Sequence, residues 1–317
     1  MTKKILVTAT NYSQLCAEAK KLFEDNGCEV IENTLGRPMT FDELRVRVGD
    51  IDGVIAGVDT WNDDVFAIAP KLKVISRFGV GVDNIDIEAA RKRGITVTNA
   101  AGGNANAVAE LTIGLIVAAM RAIPQLHATT RQGAWDRFVG TELVGRTVGL
   151  LGFGNIAQKV ARKLSGFDVT IIAYDKYPNL EAAARLGVTM IEADEVIARA
   201  DVLCMLLPNL PETRRFMNAD VFAQMKDGAY FVNTARGALV DEAALADALT
   251  SGKLSGAAID VYQHEPSSAD NPLFRLDRIV TTPHTAAETY ETYTDIGAIT
   301  ATAVLDVLAG RAPKNLL

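Results

Sequence analysis

One hexapeptide constrains this chain more than any other segment: Gly152-Phe153-Gly154-Asn155-Ile156-Ala157, directly behind the apolar run 148–151 and at the head of a helical pattern. The first glycine permits a tight strand-to-helix turn. The second lets backbone approach a pyrophosphate, and the third position needs a small residue for helix–strand packing, which Ala157 meets. Phosphates would rest on the free amides at the helix N-terminus, those of Asn155 and Ile156 among them. The next strand, 169–174, ends in Asp175. That is roughly 20 residues on, where a carboxylate accepts the adenosine ribose hydroxyls of NAD. A carboxylate there also repels the extra phosphate of NADP, so NAD is the expected cofactor.

Around this turn the chain alternates short apolar runs with helical ones. Residues 4–8, 29–32, 53–56, 73–78 and 96–98 read as strands, and 13–25, 41–48, 63–69 and 87–93 as helices. Apolar runs of four to six residues between helices imply parallel strands covered on both faces. A long helix follows at 104–120, behind Gly102-Gly103, and residues 123–145 break the rhythm and read as irregular. The alternation restarts with strands at 147–151, 169–174, 202–206, 230–232, 257–259 and 279–281 and a helix at 155–164. The tail, 288–308, is apolar at helical spacing and needs something already built to pack on. The expected fold is α/β: two doubly wound parallel-sheet, Rossmann-like domains with an interdomain cleft. Residues 1–98, completed by 286–317, would form one domain and 99–285 the other.

Composition narrows the function classes. A net charge of −7 disfavours nucleic acid, whose binding leans on Lys and Arg neutralising phosphates. The longest apolar stretch, 111–120, lies between Glu110 and Arg121 and is about half a membrane span. The apolar start breaks after Ala9 at Thr10, Asn11 and Tyr12, so it reads as a buried strand and not a signal segment. Cys16, Cys28 and Cys204 form no CxxC pair, which suggests reduced thiols in a cytoplasmic protein. No clustered Cys/His set suggests a metal.

Three segments of the second domain share one pattern, an apolar strand ending in polar residues. They are Phe231-Val232-Asn233-Thr234-Ala235-Arg236-Gly237, Ala258-Ile259-Asp260-Val261-Tyr262-Gln263-His264-Glu265-Pro266 and Thr281-Thr282-Pro283-His284. Strand C-terminal ends line the ligand crevice of an open α/β sheet, so Arg, Glu and His arrive at one edge. Arg236 offers a cation whose planar fork suits a carboxylate. His284 offers an imidazole, an ordinary proton donor and acceptor near neutral pH. A carboxylate, Glu265, would orient that imidazole and favour its protonated form. His127 and His264 lie in no comparable motif and read as structural or solvent-facing.

This combination resembles the D-isomer-specific 2-hydroxyacid dehydrogenases, most closely the phosphoglycerate dehydrogenase branch. Phe78-Gly79-Val80-Gly81-Val82-Asp83-Asn84-Ile85-Asp86, Asn106-Ala107-Val108-Ala109-Glu110, Leu207-Pro208 and Pro211-Glu212-Thr213-Arg214 carry it further. The resemblance implies that Arg236, Glu265 and His284 are catalytic in reducing a 2-oxo acid, Arg236 holding its carboxylate, His284 donating the proton and Glu265 orienting the imidazole. It implies that Thr234 and Ala235 meet NAD by backbone, Leu207-Pro208 packs along it, and Asp260 orients the nicotinamide carboxamide. The amides of Val80 and Gly81 would cradle the substrate carboxylate, with Val80 also touching nicotinamide. Residues 1–98 become the substrate domain and 99–285 the NAD-binding domain. The helix at 104–120 and the segment after it would build a homodimer.

Phosphoglycerate dehydrogenases of the serine pathway typically carry an arginine in the loop that here reads Ala56-Gly57-Val58-Asp59, where this chain has no cation. Arg77, or a partner subunit's Arg131 or Arg137, is the alternative contact for a substrate phosphate. Hydroxypyruvate or glyoxylate therefore stands as an alternative substrate, and an NAD-sensing, corepressor-like role as an alternative class. Glu265 and Val80 differ from the glutamine and lysine of formate and phosphite dehydrogenases. The chain stops soon after its returning helix, so no appended regulatory module is expected.

Overall fold

The computed structural model describes residues 2–317 and divides them into two compact units, one running up to Asn104 and resuming over Glu288–Leu317, the other Ala105–Ala287. Each is a parallel sheet covered by helices.

The first unit holds β1 (Lys3–Val7), β2 (Cys28–Glu32), β3 (Gly53–Ala56), β4 (Val74–Arg77) and β5 (Thr96–Thr98) in the order β2-β1-β3-β4-β5. All four residues of β3 are buried, as a central strand with helices on both faces requires. Side chains that satisfy free amides start the short helices: Thr40 forms a reciprocal cap with Glu43, and Asp86 accepts from Ala89 N at 2.9 Å. The tail supplies the helix Tyr290–Leu308, which packs on β3, β4 and the helix Ala17–Asp25. Gly297 lets the two helices close up: a Cβ there would stand 3.1 Å from Cys16 Sγ. Residues 99–104 stay with this unit because Ala100 N donates to Gly79 O at 2.8 Å.

The second unit holds β6 (Thr147–Leu151), β7 (Thr170–Tyr174), β8 (Val188–Met190), β9 (Val202–Met205), β10 (Ala229–Asn233), β11 (Leu254–Ile259) and β12 (Ile279–Thr281). Their order is β12-β11-β10-β9-β6-β7-β8. The chain runs outward from β6 to β8, then returns to the other side of β6 at β9. That reversal opens a crevice beyond the carboxyl ends of β6 and β9, where ligands of such sheets bind. The helix Ala105–Arg121 lies on β10, β11 and the helix Asn155–Leu164. No single helix among the described residues is long and apolar enough to cross a membrane.

One expectation needs correcting. Residues 123–131 are a helix, Ile123–Arg131, and not irregular chain. Ala122 adopts a left-handed φ of 50° and bends the path by 64° relative to Ala105–Arg121. Pro124 then sits in the first turn, where its missing N–H costs nothing. None of the nine residues is buried, so no apolar stripe advertised the helix.

Candidate active site

The dinucleotide turn is built by two glycines with different duties. Gly152 has φ of +101°, and a Cβ there would meet Leu206 O at 2.6 Å. Gly154 caps the helix Asn155–Leu164 in extended backbone, and nothing lies within 4 Å of its would-be Cβ. That open ground faces the first helical amides, Asn155 and Ile156 among them, which have no acceptor inside a helix. Ala157 is 1% exposed and packs in the core. Asp175 closes one side: its Oδ2 accepts from Phe153 N at 2.7 Å and its Oδ1 from Tyr177 N at 2.9 Å. On the other side Leu206 N bonds to Leu151 O, carrying Leu207 and Pro208 away from β9. An open cradle, unpaired helical amides and a carboxylate at the end of β7 fit a dinucleotide without an additional ribose phosphate.

Arg236, Glu265 and His284 come from three adjacent strands in register, Asn233 opposite Ile259 and Ile259 opposite Thr281. Their loops therefore leave the sheet side by side. Asn233, 1% exposed, shapes the first loop: its Nδ2 donates to Arg236 O at 3.0 Å and its Oδ1 accepts from Ala235 N at 3.0 Å. Thr234 is held by its hydroxyl, 2.8 Å from that of Thr112. Gly237 admits no side chain, because a Cβ would overlap the Tyr262 carbonyl group. This contact presses the Arg236 loop against the Glu265 loop.

Glu265 Oε1 accepts from Tyr262 N at 2.9 Å, and Oε2 lies 2.6 Å from His284 Nδ1. Burial pushes the Glu265 carboxyl up. The hydrogen bond and charge of His284, the Tyr262 amide and the Arg236 guanidinium outweigh it, so the group lies below the usual carboxylate range. With Nδ1 engaged, Nε2 is the ring nitrogen left to exchange a proton with a ligand.

Two residues that fasten this arrangement were not read as such from the sequence. Asn233 is one. The other duty belongs to Asp260, fully buried, which the resemblance assigned to the carboxamide. Its Oδ1 accepts from Thr282 Oγ1 at 2.5 Å and Thr285 N at 2.9 Å, and its Oδ2 from Ala286 N at 3.0 Å. Its carbonyl accepts from His284 N at 2.6 Å. These bonds hold His284 in a left-handed conformation, φ 51°, that a bulky residue rarely adopts unaided. A polar residue ending a buried strand was the available signal.

Val80 and Gly81 belong to the first unit, in the loop after β4, where Val80 O accepts from Asn99 Nδ2 at 2.8 Å. The Arg77 guanidinium packs against Gly79 and donates to Phe78 O. Asp59, 2% exposed, accepts from Met39 N at 2.5 Å. Burial raises its pKa, and bonds from Thr8 and Met39 with the charge of Arg77 only partly offset this. His127 and His264 are exposed.

Residues 113–286 match the NAD-binding domain of D-isomer specific 2-hydroxyacid dehydrogenases, and the chain belongs to that family. A D-3-phosphoglycerate dehydrogenase of Methanocaldococcus jannaschii is 42% identical across 99% of this chain and 59% of its own length. That of Archaeoglobus fulgidus is 41% identical across 94% and 56%. The chain thus spans between half and three-fifths of the length of such relatives. A Thermus thermophilus protein of known structure, 35% identical, superimposes with a TM-score of 0.90 over 99% of both chains.

Proposed function

We propose that this protein is an NAD-dependent oxidoreductase acting on a small D-2-hydroxy acid and its 2-oxo counterpart. The observation that carries the reading is the 2.6 Å contact of His284 Nδ1 with Glu265 on the strand ends beside Arg236, within an NAD-binding domain. Nicotinamide, when bound, supplies or takes up the hydride. Arg236 binds the substrate carboxylate and polarises the 2-oxo group. In reduction His284 gives the Nε2 proton to the oxygen that becomes the hydroxyl. In oxidation it takes that proton back. Glu265, ionised, keeps the ring oriented and stabilises its cationic form. The first unit serves as the substrate domain, with the amides of Val80 and Gly81 as its donors for a carboxylate. Gly152, Gly154, Asn155 and Ile156 hold the pyrophosphate, Asp175 the ribose, and Leu207, Pro208, Thr234, Ala235 and Asp260 the remainder of the cofactor.

The named relatives favour a phosphoglycerate-type substrate. A second reading, hydroxypyruvate or glyoxylate, draws on the loop Gly57-Val58-Asp59, which brings a buried carboxylate near Arg77 where a substrate phosphate would need a cation. NADH oxidation with phosphohydroxypyruvate, hydroxypyruvate, glyoxylate and pyruvate ranks these substrates. No turnover with any of them would remove the enzyme reading in favour of a dinucleotide sensor. Arg236→Ala should lower kcat/KM at least about a hundredfold while NADH binding stays nearly intact.

We also read the working form as a homodimer built on Ala105–Arg121 and the segment after it. Trp135, Phe138 and Val139 are 87%, 52% and 95% exposed there, large apolar groups that a lone subunit leaves in water. A cytoplasmic setting fits the three free thiols.

A further inference from the structure

The loops leaving β7 and β9 each place a carboxylate beside the dinucleotide turn, and the ribose accounts for Asp175 but not for Glu212. β6 lies between β9 and β7, so these two loops rise on either side of Gly152–Gly154. Lys176 stands on the β7 loop, next to Asp175. Glu212 stands on the β9 loop, in a turn fixed by Thr213, whose hydroxyl donates to Pro208 O at 2.6 Å and accepts from Leu210 N at 2.8 Å. Lys176 Nζ and Glu212 Oε1 meet at 3.4 Å. Strands two places apart are roughly 9–10 Å apart, so this pair crosses the turn and does not run along one loop.

An NADP 2′-phosphate would arrive beside Asp175, and Lys176 is the cation carried on the same loop. Left to itself, that ammonium could turn to the phosphate and offset the repulsion from Asp175. We propose that Glu212 is a specificity-determining residue for the cofactor, drawing Lys176 across the turn and away from the ribose 2′ position, so that NAD is selected over NADP. The pairing shows in both groups. The Glu212 hydrogen bond is the chief reason the Lys176 ammonium lies above its usual pKa. The Glu212 carboxyl lies below its own, first through a backbone amide and then through Lys176.

The inference rests on the second unit binding a nicotinamide dinucleotide and on no particular substrate, so it is tested by binding. NADH and NADPH are titrated by nicotinamide fluorescence against the wild type, Glu212→Gln, Lys176→Gln and the double variant at low ionic strength. Glu212→Gln should tighten NADPH relative to NADH by about twofold to fivefold, the range an exposed ion pair allows. In the Lys176→Gln background that gain should vanish. An unchanged ratio in Glu212→Gln overturns the proposal. So does a gain that survives without Lys176, because Glu212 would then act by its own charge alone. Failure of the wild type to bind NADH would instead overturn the cofactor reading itself.

Discussion

Gly152 and Gly154 stand two residues apart, yet substitution should separate them cleanly. Gly154→Ala meets no neighbour and requires no positive φ, so thermal unfolding should be unchanged. The added methyl would occupy the cradle, and coenzyme affinity measured by titration should fall about tenfold or more. Gly152→Ala combines φ of +101° with a clash against Leu206 O, and should cost about 2–4 kcal/mol by calorimetry. The sequence made both glycines visible, but not that the first serves the protein's own packing. The grouping of Arg236, Glu265 and His284 at one sheet edge was legible because each lies in the loop that follows an apolar strand. The supports of those residues were not. Asn233, Gly237 and the anchoring bonds of Asp260 depend on which strand lies next to which, and adjacency in the sheet is not written in local order.

At the scale of elements, Asp201 shows how strand starts are pinned. Its Oδ2 accepts from Thr147 N at 2.8 Å and its Oδ1 from Lys226 Nζ at 3.0 Å, tying β9 to the start of β6. Burial pushes the carboxyl up, but the Thr147 amide and Lys226 outweigh it, so the group lies below its usual value. A carboxyl lowered by folding stabilises the protein above its unfolded pKa, 3.8, and loses that contribution as pH falls through the lower folded value. Asp201→Asn should therefore cost about 1–2 kcal/mol at pH 7 in urea unfolding. The difference between the two proteins should shrink as the pH falls below 3.8. Most strands were readable because buried parallel strands are continuous apolar runs. β8 was not: it has three residues, only one of them buried, on the edge of its sheet. Ile123–Arg131 escaped for a similar reason, since a helix with no buried face leaves no periodic signal.

For the molecule as a whole, the proposed dimer has a direct test. Val139→Asp places a charge on the most exposed of the large apolar side chains. Sedimentation at micromolar concentration should then show a smaller species than the wild type, and an unchanged species would remove this face from the interface. The net charge of −7 keeps such a protein apart from its like by mild repulsion, so the contact has to come from apolar area.

The tail helix carries a consequence for how the chain is made. Val304 reaches the floor of β3, 3.1 Å from where a Cβ of Gly53 would be, and the helix also covers β4. Those strands precede the NAD-binding domain in the chain, whereas their cover follows it. The first unit is thus begun before the NAD-binding domain is made and completed only after it. Until then Ile5, Val74 and their neighbours lack part of their apolar surroundings. Nascent chains stalled before Glu288 are where chaperone capture and proteolysis would concentrate.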